Sequence, residues 1–183
     1  MAPICFFPDA DNDVVFDGRY LFDTNVWFKL RGPYPDFQDE RTRNYSRIMK
    51  KILDDGGVII VDPVVIMEFS NLFIRTIFNA ERDDGNASDN FKEFRKTNAY
   101  NEITKTFADE IFQLVNGNEV IGVNFSAEDY DKISESLHGS SLDFNDAIIL
   151  ETCKRSELTL VTDDFDYAGC DVPVISANRR YRN

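Results

Sequence analysis

The sequence predicts an α/β protein of three layers, helix, sheet and helix, around a mostly parallel central sheet. Three observations carry that expectation. Short runs rich in Val, Ile, Leu and Phe alternate with longer helical patterns from end to end. Those runs are apolar at consecutive positions, as strands buried on both faces tend to be. At 183 residues, 43% of them hydrophobic, the chain suits one domain with its own core.

The elements follow in order. Residues 1–18 are acidic and turn-rich and read as a flexible leader, with a single domain over 19–176. Tyr20-Leu-Phe22 is the first strand. Val26-Trp-Phe-Lys-Leu30 opens a short helix that Gly32-Pro33 and Pro35 end. A charged amphipathic helix over 37–55 turns Tyr45, Ile48, Met49, Ile52 and Leu53 to one face, and Gly56-Gly57 stops it. Val58-Ile-Ile-Val61 is the second strand, and Pro63 suits the first position of the apolar helix after it. Residues 80–98 turn polar and read as a surface insertion. A helix over 99–116 carries Tyr100, Ile103, Phe107, Ile111, Phe112 and Val115 at helical spacing.

Val120-Ile-Gly-Val-Asn124 is a third strand, and Ser126-Ala-Glu-Asp129 has the form of a capping box. After Gly139-Ser-Ser141 a helix runs from about Asp143 to Ser156, followed by a strand at 158–162. The last strand, Val172-Pro-Val-Ile175, is expected at a sheet edge because proline cannot donate to a ladder. Residues 177–183 form a short basic tail.

Composition narrows the function. A net charge of −13 argues against a broad basic face for nucleic acid. Three widely spaced cysteines, Cys5, Cys153 and Cys170, offer neither a zinc motif nor a disulfide framework, which suits a reducing cytoplasm. The N-terminus lacks the basic and apolar regions of a secretory signal. No apolar run approaches the ~20 residues needed to span a bilayer. No membrane partner is expected.

Four acids stand out by position. Asp23 and Asp164 each follow a predicted strand, the edge where α/β folds bind ligands. Glu68 interrupts the apolar run Val64-Val-Ile-Met-Glu-Phe69, where a charge needs a partner or an ion. Asp146 lies in the first turn of Asp143-Phe-Asn-Asp-Ala-Ile-Ile-Leu150. Each has a plainer explanation: Asp23 as a helix cap, Glu68 on an exposed strip, Asp146 serving a helix dipole, and Asp163, Asp164 and Asp166 as a solvated turn. Asn25 stands two residues after Asp23, where a phospho-aspartate mechanism needs a second aspartate, so that chemistry is disfavoured. The absence of a phosphate-cradling Gly-rich loop disfavours a small-molecule phosphatase further.

Leu21-Phe-Asp-Thr-Asn25, Val65-Ile-Met-Glu-Phe69, Asn145-Asp-Ala-Ile-Ile149 and Leu160-Val-Thr-Asp-Asp-Phe-Asp166, in that order, resemble the PIN-domain family, the nuclease domain of VapC-type toxins and several RNA-processing enzymes. The likeness covers about Tyr20 to Ser176. It implies that Asp23, Glu68, Asp146 and Asp164 are the catalytic and metal-binding acids, with Asp164 chosen over Asp163 by the pattern Thr-any-Asp-any-Asp. Asp166 corresponds to an auxiliary carboxylate, and Asp143 is a further metal candidate. Thr24, Asn25 and Thr162 correspond to groups that orient the acids.

Oxygen ligands without histidine or cysteine favour Mg²⁺ or Mn²⁺, and His138, the one histidine, argues against a histidine-based ribonuclease. The expectation is metal-dependent endoribonuclease action on single-stranded or structured RNA, with an antitoxin protein and a self-dimer as candidate partners. Arg41, Arg43, Arg47, Lys50 and Lys51 on one helix are the RNA-binding candidates, against the plainer reading of a solvated helix face; Lys92, Arg95 and Lys96 lie in or near the insertion. The competing reading is a catalytically silent PIN-like interaction module.

Overall fold

The strands are buried on both sides. In the computed structural model, which describes residues 3–7, 14–122, 124–138 and 141–182, Leu21, Phe22, Ile60, Val61, Leu160 and Val161 are fully enclosed. Neighbouring residues of a strand point to opposite faces, so burial at consecutive positions requires cover on both. Among the described residues six strands form one parallel sheet: β1 (Ile4–Phe6), β2 (Arg19–Phe22), β3 (Val58–Val61), β4 (Glu119–Val120), β5 (Thr159–Val161) and β6 (Val174–Ser176). Their spatial order is β1-β6-β5-β2-β3-β4. Tyr20 pairs with Ile59 on one side and Thr159 on the other.

Seven described α-helices complete the layers: α1 (Thr24–Arg31), α2 (Glu40–Asp54), α3 (Pro63–Asp83), α4 (Phe91–Phe94), α5 (Asn98–Asn116), α6 (Ala127–Leu137) and α7 (Phe144–Ser156). Their starts follow local chemistry. Asp23, Asp39, Asp62, Thr97, Ser126 and Asp143 each cap a helix by accepting a backbone N–H. Ser126 with Asp129 and Asp143 with Asp146 form reciprocal capping boxes. After α2, Gly56 takes φ +85°, and at Gly57 a Cβ would meet the Phe16 carbonyl oxygen at 2.3 Å. The glycine pair therefore stops the helix and admits close backbone approach.

Two expectations at the chain ends are corrected. Ile4–Phe6, inside the expected leader, is a strand paired in register with β6 from Ile4–Val174 to Phe6–Ser176. Consequently β6 is internal, lying between β1 and β5, and not an edge. Pro173 precedes the strand and accepts from Leu160 N at 2.9 Å through its carbonyl, so its missing N–H breaks no ladder bond. Residues 1–2 and 8–13 of the leader, residue 123 of the expected third strand, 139–140 and 183 lie outside the described residues.

The polar stretch 80–98 is partly helical: α3 runs through Asp83 and α4 follows. Phe78, Phe91, Phe94 and Tyr100 pack ring against ring there, with Phe94 buried.

Candidate active site

Asp23 leaves β2 where the sheet order reverses, with β3 on one side of β2 and β5 on the other. Its backbone N–H joins the Val161 carbonyl at 3.0 Å, tying the ends of β2 and β5 together. The side chain is 4% exposed. One oxygen accepts from Thr24 N at 2.6 Å. The other accepts from Asn25 Nδ2 at 2.6 Å and from Thr162 Oγ1 at 2.7 Å. Asp23 is therefore both a helix cap and a buried carboxylate; the two roles share one geometry.

The other three acids come from separate segments. Glu68, on the second turn of α3, accepts from Thr24 Oγ1 at 2.8 Å and from Asn145 Nδ2 at 2.5 Å. Asp146, in the first turn of α7, accepts from Tyr167 Oη at 2.8 Å and from Asp143 N at 3.2 Å. Asp164 caps the 3₁₀ turn Phe165–Tyr167 by accepting from Asp166 N at 2.9 Å, while its own N–H donates to Thr162 Oγ1 at 2.9 Å. All four, with Thr24, Asn25 and Asn145, line one open cleft of about 520 Å³.

Asp163 turns elsewhere. Its carboxylate meets Arg41 Nη1 at 3.1 Å, Lys29 Nζ at 3.5 Å and Tyr45 Oη at 2.9 Å. Asp143 accepts from Asn145 N and Asp146 N as the cap of α7. It and Asp166 are exposed and are not among the residues lining the cleft.

The electrostatics differ sharply between the two sides of this loop. None of the described ion pairs includes Asp23, Glu68, Asp146 or Asp164. Burial, reinforced by the nearby charges of Asp146 and Glu68, pushes the Asp23 carboxyl up to about 7 against the hydrogen bonds from Thr162 and Thr24. Asp146 is also raised, first by burial and then by Asp143 and Asp164, with the Tyr167 hydroxyl opposing. Uncompensated carboxylates of this kind fit a hard divalent cation. Among the described residues no group of three or more His, Cys, Asp or Glu side chains stands arranged to hold a metal ion.

Among the residues not anticipated, Asn145 and Arg75 line the cleft and Tyr167 is buried beside it. Asn145 holds Glu68, and Tyr167 holds Asp146. Arg75 lines the cleft with its guanidinium 4.8 Å from the centre of the Phe91 ring. Its signal was legible: Glu68, Asn71, Leu72 and Arg75 stand at i, i+3, i+4 and i+7 on one helix face. Tyr167 carried no local signal.

The basic candidates scatter. Arg41 pairs with Asp163, and Arg43 donates to the Phe37 and Gln38 carbonyls. Arg47 reaches Asn44 and lies over Phe7. Lys50 and Lys51 form i,i+4 pairs with Asp54 and Asp55.

The PIN-domain family model matches residues 20–172, and the chain belongs to that family. The family is in general one of nucleases. Among solved structures, FitAcB from Neisseria gonorrhoeae superposes with a TM-score of 0.55 at 22% identity, covering 86% of this chain and 97% of that one. FitAB bound to an IR36 DNA fragment gives 0.52 at 19% identity, covering 85% and 92%. A toxin-antitoxin complex from Klebsiella pneumoniae gives 0.47 at 19% identity, covering 86% and 97%. At these identities the likeness is one of fold. No curated protein matches the chain. Among the described residues no helix is long and apolar enough to cross a membrane.

Proposed function

We propose that this PIN-domain protein is a metal-dependent endoribonuclease that hydrolyses RNA phosphodiester bonds in the acidic cleft, acting as the toxin of a toxin-antitoxin pair. One observation carries the reading: four carboxylates from four distant segments share a cleft, and none of the described ion pairs includes any of them. A structural role would have paired or exposed them.

Asp23, Glu68, Asp146 and Asp164 would hold Mg²⁺ or Mn²⁺, with Asp143 and Asp166 as outer candidates. The bound ion would activate a water and stabilise charge on the leaving oxygen. The chain's own part is preorganisation. Three donors occupy Asp23; with about four acceptor sites on a carboxylate, about one is left to aim into the cleft. Glu68 is held at both oxygens by Thr24 and Asn145, which leaves it able to bind the ion or orient the attacking water. Thr162 links Asp23 to the backbone of Asp164 and so fixes the spacing of two acids.

The partner reading rests on the FitAB assembly, which shares the fold. An antitoxin-type protein is the proposed partner, and exposed Met67 and Leu72 on α3, with Phe112 on α5, are where it would seat. Self-association is the competing use of that strip. The cysteines are free thiols, which suits the proposed cytoplasmic location.

Calorimetric titration with Mn²⁺ tests the metal assignment. The wild type is expected to bind, and Asp23→Asn to bind at least about tenfold more weakly, since a ligand charge is lost. Equal affinity in the two proteins would remove Asp23 from the site.

A further inference from the structure

One cavity gathers arginines despite the chain's negative charge. Beside the acidic cleft lies a cavity of about 750 Å³ whose walls include Arg41, Arg179, Arg180 and Arg182, against the acids Asp39 and Glu40. Its residues connect to the cleft without a gap. Arg180 and Asn178 line both this cavity and a small intervening depression, and that depression shares Asn25 and Asp164 with the acidic cleft. The acids and the arginines thus line neighbouring depressions that share residues.

The tail that supplies three of these arginines is built into the fold. Tyr181 is buried and donates to the Asp164 carbonyl at 2.5 Å. Asn178 Nδ2 donates to the Asp163 carbonyl at 2.6 Å. The loop carrying an active-site acid and the basic tail therefore form one body. The Arg180 guanidinium carbon lies over Phe165, 4.0 Å from its ring centre, and none of the described ion pairs includes it. A stacked guanidinium presents its N–H edge to phosphate and its free face to a base. Arg179 and Arg41 are neutralised by Glu40 and Asp163 at 2.8 and 3.1 Å, contacts that phosphates can replace at the surface.

Resting on the ribonuclease reading, we infer that this arginine cavity is the substrate-gripping subsite, taking the phosphates of single-stranded RNA on one side of the bond to be cut. A single strand is the occupant, because its unpaired bases can stack on Arg180 while its phosphates meet the neighbouring arginines. The subsite also explains how so acidic a protein holds a polyanion: the grip is local, and supplied by the tail.

The test uses labelled oligoribonucleotides of two and eight nucleotides with the full-length chain. Binding is read by anisotropy without metal over a salt series, and cleavage is read separately with Mn²⁺. Arg179→Ala/Arg180→Ala is compared with the charge-matched control Lys105→Ala/Lys132→Ala. The tail variant is expected to bind the octamer about tenfold more weakly and to lose about 1 to 1.5 from the salt slope, as two lost single-strand phosphate contacts would require. Arg180→Lys is expected to restore part of the salt slope. The dinucleotide, too short to reach the cavity, should be cut equally by both variants.

An octamer affinity equal to that of the control overturns the subsite, whether or not the protein cuts RNA. Equal competition by poly-glutamate of matched charge also overturns it, assigning the cavity to an acidic protein segment. Tail-dependent octamer binding without any metal-dependent cutting would sustain the subsite and defeat the ribonuclease reading.

Discussion

Asp23 shows how a single residue can serve folding and chemistry at once. It caps α1, yet it is held 96% out of water by its neighbours, being 4% exposed. In the unfolded chain its carboxyl ionises at its ordinary 3.8, and in the fold only near 7. The folded state therefore binds this proton more tightly. Asp23 imposes no penalty below about pH 4, a growing one between pH 4 and 7, and a full one above, of about 4 kcal/mol at ~1.4 kcal/mol per unit. Denaturant unfolding of the metal-free protein should accordingly show Asp23→Asn gaining on the wild type between pH 5 and pH 8 by roughly 1–3 kcal/mol. A gap that does not change with pH would mean that Asp23 is not a strained buried acid. Saturating Mn²⁺ should close the gap by stabilising the wild type.

At the scale of elements, the helix starts and the site are the same objects. Asp143 caps α7 and in doing so holds Asp146 by their reciprocal bonds. Replacing Asp143 by Ala should cost about 1 kcal/mol of stability, as lost caps do. If Asp146 belongs to the chemistry, cleavage should fall further than that loss explains, by about tenfold at a temperature where the protein stays folded. Normal turnover in a folded Asp143→Ala protein would detach the α7 cap from catalysis.

The elements also show what could be read from the sequence. The central strands, the helices flanking them and the capping box at Ser126 were legible because each is set by local pattern: apolar runs, 3.6-residue spacing and capping side chains. The strand Ile4–Phe6 was not, since three residues gain strand structure only from pairing with β6, a contact more than 160 positions away in sequence. Pro173 misled for a related reason: a proline limits its own N–H and says nothing about the following residues. In the site, Glu68 was visible as an acid inside an apolar run and Asp23 and Asp164 as acids following predicted strands, while Asp146 was picked out by the likeness to the PIN family. Tyr167 was invisible, because its hydroxyl finds Asp146 only in three dimensions. The aromatic packing of Phe78, Phe91, Phe94 and Tyr100 lay hidden inside a stretch that composition marks as polar.

For the molecule as a whole, the sheet sets the position of the chemistry. The order β1-β6-β5-β2-β3-β4 puts β2 beside β5 and reverses the winding there, so the ends of both strands open one crevice. A net charge of −13 works against binding a polyanion, and the arginines of the tail oppose it locally. The proposed function makes the four acids a metal-dependent RNA-cutting centre. It is tested most directly by incubating labelled single-stranded RNA with the wild type and Asp23→Asn, in Mg²⁺ or Mn²⁺ and in EDTA. The predicted result is internal cutting by the wild type with metal, none in EDTA, and a loss of at least about a hundredfold in a variant that remains folded. Undiminished metal-dependent cutting by Asp23→Asn, or no cutting by the wild type with either ion, would contradict it.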